Sequence, residues 1–152
     1  MELQPGQPAP DFGLQDHDGN LVQLADFRGR KVVLYFYPKD DTRGCTIEAK
    51  QFNDLLRHFE GQNVAVLGVS GDDATSHRRF RAKYGLTFPL LCDPDFTVAQ
   101  AYGAYGERES SSGETVTGIL RSTFLIDEGG AIEQAWYRVS PDGHPEAVLA
   151  HL

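Results

Sequence analysis

Cys45 stands where a strand-length apolar run gives way to an amphipathic stretch, within Pro38-Lys39-Asp40-Asp41-Thr42-Arg43-Gly44-Cys45-Thr46. Before it, Val32-Val33-Leu34-Tyr35-Phe36-Tyr37 is continuous and apolar; after it, Ile47, Phe52, Leu55, Leu56 and Phe59 recur near helical spacing. A thiol at the start of a helix faces backbone N–H groups without intrahelical acceptors and the positive end of the helix dipole. Both favour thiolate over thiol. Cys45 is therefore the candidate nucleophile. Thiolate character alone gives a modest acceleration, so the electrophile must also be held in line and the charge on its leaving atom stabilised. Thr42, three residues earlier, offers a hydroxyl that accepts a proton from one substrate oxygen while donating to another. Gly44 lets backbone N–H groups approach an oxygen-bearing substrate, and Pro38 sets the exit from the strand and shields the thiol from water. Such a site suits a small peroxide better than an acyl group.

The elements that position these groups follow from periodicity and turn chemistry. Asp18-Gly19-Asn20 reads as a turn between Phe12-Gly13-Leu14 and Leu21-Val22-Gln23-Leu24. A strand at 32–37 leads into a single helix opened by Cys45 and running to Phe59. A second buried-type strand at 64–70, a helix at 74–84 stopped by Gly85, a short strand at 88–91 and a short helix at 97–102 follow. Residues 107–117, polar and rich in Ser and Gly, read as a mobile surface loop. Residues 122–127 and 131–139 read as a hairpin around Glu128-Gly129-Gly130, and 145–152 as a closing helix with Pro in its first turn. Parallel strands first and a hairpin later imply an α/β mixed sheet with helices on both faces and an N-terminal β-hairpin, an outline that by analogy resembles a thioredoxin-like fold.

With 152 residues, 40% of them hydrophobic, residues 1–152 form one domain with a core of its own. A net charge of −8 argues against nucleic acid or an anionic membrane as partner. The basic run His77-Arg78-Arg79-Phe80-Arg81-Ala82-Lys83 reads as the solvated face of a surface helix. Two cysteines far apart are too few for a secreted disulfide framework, and Met1 to Pro10 lacks the marks of a signal peptide, so a cytoplasmic location is expected. The five histidines are scattered without ligand spacing, and Asp40-Asp41, Asp72-Asp73 and Asp93/Asp95 read as turn residues and caps, so no metal is expected. No G-x-G-x-x-G or Walker pattern implies a nucleotide cofactor. Glu48 occupies the place of the second cysteine of a Cys-x-x-Cys motif, and Trp136 and Tyr137 read as core and sheet-face aromatics.

Phe36-Tyr37-Pro38-Lys39-Asp40-Asp41-Thr42, followed by Gly44-Cys45-Thr46, closely resembles the peroxidatic motif of the peroxiredoxins, in particular the peroxiredoxin Q or bacterioferritin-comigratory branch. The resemblance runs nearly end to end: Ala9-Pro10-Asp11-Phe12, Asp26-Phe27-Arg28-Gly29, Gly68-Val69-Ser70, Phe88-Pro89-Leu90-Leu91 and Arg121-Ser122-Thr123-Phe124-Leu125-Ile126-Asp127 fall in family order. It implies a thiol peroxidase reducing hydrogen peroxide and small organic hydroperoxides through a sulfenic acid on Cys45. By the same resemblance Thr42 and the backbone at Gly44 and Cys45 orient the peroxide, Pro38 shapes the pocket, and Arg121 stabilises thiolate and transition state. Glu48 matches the family's acidic residue and holds Arg121 or another arginine. Thioredoxin or a comparable thiol is the implied reductant, and a monomer the implied state. The rival reading is a redox-sensing binding protein with negligible turnover.

Three departures from the family pattern are visible, two of which bear on the catalytic cycle. Many members carry a resolving cysteine five residues after the peroxidatic one, where this chain has Lys50; others carry it on the helix at 74–84, which here has none. Arg43 replaces the usual proline. The remaining thiol, Cys92, is either a small, half-buried strand-end residue or a displaced resolving cysteine that requires the Cys45 helix to unwind. With neither usual position filled, the balance falls to a one-cysteine cycle.

Overall fold

The computed structural model describes residues 2–110 and 112–152. Its centre is a seven-stranded mixed sheet of β1 (Gly13–Asp16), β2 (Leu21–Gln23), β3 (Lys31–Phe36), β4 (Val64–Ser70), β5 (Leu90–Cys92), β8 (Ser122–Ile126) and β9 (Ile132–Trp136), in the spatial order β2-β1-β5-β4-β3-β8-β9. β3, β4 and β5 are parallel, while β8, β9 and the β1–β2 hairpin join antiparallel. The hairpin turn at Asp18-Gly19-Asn20 is pinned by Asp16, whose Oδ1 accepts from the N–H groups of Asp18 and Asn20. This is a thioredoxin-like α/β fold.

β3 and β4 read as unbroken apolar runs because both faces of the sheet are covered. Val32, Leu34 and Phe36 enter one core with Leu67, Val69, Phe124 and residues of α4 (Thr97–Ala101). Val33, Tyr35 and Tyr37 enter the other, with side chains of α1 (Arg43–Asp54), α2 (Leu56–Gly61), α3 (Ala74–Tyr84) and α5 (His144–His151). α3 begins where Asp73 accepts from the Ser76 N–H at 2.9 Å and ends at Gly85 in the left-handed region, φ 65°. Among the described residues no helix is long and apolar enough to cross a membrane.

Three expectations are corrected. The helix after β3 starts at Arg43 and breaks at Leu55, whose φ of −96° and ψ of 2° separate α1 from α2. The break turns Leu56 and Phe59 inward onto the sheet. The segment at 107–117 is no open loop: β6 (Tyr105–Glu109) and β7 (Thr115–Ile119) pair antiparallel from Tyr105↔Ile119 to Glu109↔Thr115. The β-branched run Thr115-Val116-Thr117 was the signal, masked by polarity because this ribbon stands apart from the main sheet. Finally, α3 is not wholly solvated on its basic run, since His77 and Phe80 are buried, one turn apart on the same face.

Candidate active site

The register of β3 assembles the site. β8 runs antiparallel to β3 with Phe36 opposite Ser122, so Arg121, one residue before β8, lands beside the point where the chain leaves β3 for α1. Cys45 is the third residue of α1, within the first turn, where N–H groups have no intrahelical acceptor. Its side chain is 1% exposed. Arg121 Nη2 donates to Cys45 Sγ at 3.4 Å, and Arg121 Nη1 donates to Glu48 Oε1 at 2.7 Å. Cys45 and Glu48, three apart, share the helix face turned toward that guanidinium. One cation is thus shared between a thiol and a carboxyl.

Glu48 is fully buried, and burial pushes its carboxyl up to about 7 even though Arg121 pulls the other way. Its second oxygen, Oε2, has no partner among the described residues, so the guanidinium compensates only one side of the group. Tyr35, behind it in the core, is raised well above its ordinary value by burial and then by Glu48 and Cys45. His144, at the start of α5, bonds Thr123 Oγ1 through Nε2 at 2.8 Å; burial, then Arg121, lowers it to about 4. It is neutral near pH 7.

Gly44 sits in close packing. A Cβ there meets Arg121 Nη2 at 3.1 Å and Pro141 Cγ at 3.2 Å, so a side chain would push the guanidinium or the proline by a few tenths of an ångström. That loop is tied to α1 by Gln51, whose Oε1 accepts from the Gly143 N–H at 2.8 Å and whose Nε2 donates to Asp142 at 2.7 Å. Thr42 precedes the helix and is exposed; its hydroxyl donates to the Lys39 carbonyl at 2.8 Å, which leaves its lone pairs free to accept. Pro38, Leu120, Arg121, Val139, Arg108 and Arg138 line an open depression of about 230 Å³. The site therefore joins Cys45, Arg121, Glu48 and Gly44 directly, with Thr42 and Pro38 on the connecting loop.

That loop is anchored by residues the sequence reading passed over. Asp40 is buried, not a solvated turn residue: its carboxylate accepts from Tyr37 Oη at 2.5 Å and Ser76 Oγ at 2.8 Å and meets His77 Nδ1 at 2.7 Å. His77 Nε2 in turn donates to the Leu91 carbonyl at 2.9 Å, and Asp72 accepts from the Asp40 N–H and from Ser70 Oγ. Ligand-type atoms of Asp40, Asp72 and His77 lie within 4.8 Å of one another, and these hydrogen bonds already engage them. The helical spacing of His77 and Phe80 was the available signal. Asp73 caps α3 as expected, whereas Asp93 is buried rather than solvated and accepts from the Val98 and Ala99 N–H groups in the first turn of α4.

Cys92 is placed elsewhere. It ends β5 opposite Ser70, at the same sheet edge as the β3 exit but two strands away, on the side opposite Arg121. Burial, then Asp73, Asp40, Asp16 and Asp72, pushes its thiol up to about 11.

A sequence model of the AhpC/TSA family matches residues 5–135. Peroxiredoxin Bcp of Escherichia coli is 42% identical over 150 residues, covering 99% of this chain and 96% of that protein. The chain belongs to the AhpC/TSA family, in its peroxiredoxin Q/Bcp branch. Among solved structures, PrxQ of Xylella fastidiosa superposes on this peroxiredoxin with a TM-score of 0.91 at 39% identity, covering 99% of this chain and 96% of that one. The bacterioferritin comigratory protein of Xanthomonas campestris, described for its alkyl peroxide reduction activity, gives 0.88 at 39% identity over 97% and 96%. This peroxiredoxin is an enzyme, a thiol peroxidase.

Proposed function

We propose that Cys45 is the peroxidatic nucleophile and that alkyl hydroperoxides, as for the Xanthomonas protein, are reduced here along with hydrogen peroxide. The observation that carries this reading is Arg121 Nη2 at 3.4 Å from Cys45 Sγ, with its other nitrogen fixed by Glu48. The thiolate attacks the distal peroxide oxygen; an S–O bond forms, the O–O bond breaks, and the leaving alkoxide takes a proton to become an alcohol. Sulfur is oxidised to sulfenic acid and the peroxide is reduced. Arg121 faces both sulfur and reacting oxygens, where charge spreads in the transition state. Thr42, its proton committed to Lys39, accepts from the peroxide O–H and aligns the O–O bond. The backbone at Gly44 and Cys45 donates to the peroxide, and Pro38 walls the approach.

The sulfenic acid is then condensed with an external thiol, releasing water, and a second thiol frees Cys45. Thioredoxin supplies both thiols in one molecule. In this reading the cycle runs on Cys45 alone: burial and nearby carboxylates push the Cys92 thiol up to about 11, and β5 lies two strands from β3 on the side away from β8. The protein works as a monomer of one domain in the cytoplasm, where its two free thiols stay reduced. Thioredoxin-coupled consumption of cumene hydroperoxide tests the assignment. Wild type and Cys92→Ser should turn over alike and Cys45→Ser should be inactive; turnover by Cys45→Ser contradicts it.

A further inference from the structure

The depression in front of Arg121 carries two more arginines than the peroxide step uses. Arg108 lies in β6 between Glu107 and Glu109; strand alternation sends both carboxylates to the exposed face and leaves Arg108 half-buried on the other. Its Nε is buried and has no hydrogen-bond partner among the described residues. Arg138 follows β9 with φ at 51°, a left-handed conformation unfavourable for a residue with a side chain. Its Nη1 donates to the Glu107 carbonyl at 3.2 Å, which ties it to the strand that carries Arg108. Among the described residues neither arginine pairs with a carboxylate, in a chain whose net charge is −8. Arg121, by contrast, is already engaged by Glu48 and Cys45. Leu120, Val139 and Pro38 supply apolar wall between them.

We propose that Arg108 and Arg138 bind the carboxylate of a hydroperoxide whose peroxide end reaches Cys45, making short carboxylate-bearing alkyl hydroperoxides favoured substrates. This rests on the peroxidase reading of the same site. Guanidinium groups without an internal counter-charge hold a carboxylate through paired N–H donors. A positive mouth on an acidic protein also raises the encounter rate of anions. A depression of about 230 Å³ accommodates a chain of a few carbons.

The test compares hydroperoxyhexanoate, carrying its peroxide on the terminal carbon, with its methyl ester, which keeps the peroxide and chain but lacks the negative charge. Single-turnover oxidation of the reduced wild-type enzyme should be roughly tenfold or more faster with the acid at low salt, the ratio shrinking as ionic strength rises. In Arg108→Gln/Arg138→Gln the acid-to-ester ratio should fall to within about twofold of unity, and Arg108→Lys/Arg138→Lys should recover part of it. Equal wild-type rates with acid and ester, or a ratio that survives the double Gln variant, overturn the proposal. A carboxylate-bearing thiol presents the same chemistry, so reduction of the sulfenic acid by mercaptopropionate and by its methyl ester is measured in parallel. A preference confined to that step also overturns the proposal and moves the carboxylate to the reductant. Failure to consume either peroxide overturns the peroxidase reading, and this inference with it.

Discussion

At the scale of single residues, the guanidinium of Arg121 must serve a sulfur and a carboxyl at once, and Glu48 governs how it is shared. Burial raises Glu48 from 4.5 to about 7, so between those values the folded chain keeps a proton that the unfolded chain has released. The stability this contributes is full below about pH 4.5 and is gone once the pH has risen through about 7. Denaturant titrations of wild type across that window should therefore show a loss on the order of 3 kcal/mol that Glu48→Gln does not show. Parallel curves for the two proteins would mean that Glu48 is ionised throughout. Cys45 was legible in the sequence because a strand end, a proline, a threonine and a glycine converge on it within a few positions. Its partnership with Arg121 spans 76 positions and is set by the pairing of β8 with β3, so it came only through the family resemblance.

At the scale of elements, the loop between β3 and α1 is held from α3 by a carboxylate surrounded by Tyr37, Ser76 and His77. His77→Leu deletes one of these partners while leaving Asp40 buried, and breaking a buried pair of this kind costs about 3–5 kcal/mol. The loop also carries Thr42, so the peroxide rate should fall by about tenfold as its placement loosens. Asp73→Ala, which removes only the cap of α3, should cost about 1 kcal/mol and leave the rate alone. Denaturation paired with stopped-flow peroxide kinetics separates the two, and an unchanged rate in a folded His77→Leu protein would reduce the network to a purely structural role. Strand β4 and helix α3 match their sequence boundaries because continuous apolar residues, the Asp73 cap and the Gly85 stop agree. The β6–β7 ribbon escaped that reading because a strand outside the main sheet needs no apolar face. His77 escaped because five basic residues in seven look like a solvated surface, whichever of them turns inward.

At the scale of the whole molecule, the sheet separates two thiols into opposite electrostatic settings. β8 brings an arginine to Cys45 on one side of β3, while β4 and β5 carry Cys92 away on the other, among Asp16, Asp40, Asp72 and Asp73. In the proposed cycle the first thiol is the nucleophile, while burial and the carboxylates around the second disfavour its ionisation. The sequence located both cysteines but not this division, which depends on strand order. Intact mass and sulfenic-acid trapping after one equivalent of hydroperoxide, on wild type, Cys92→Ser and Cys45→Ser, test the division directly. Wild type and Cys92→Ser should each gain one oxygen, trapped at Cys45, and Cys45→Ser should gain none. Loss of two hydrogens and both thiols in wild type, or a trapped oxygen in Cys45→Ser, would contradict the account.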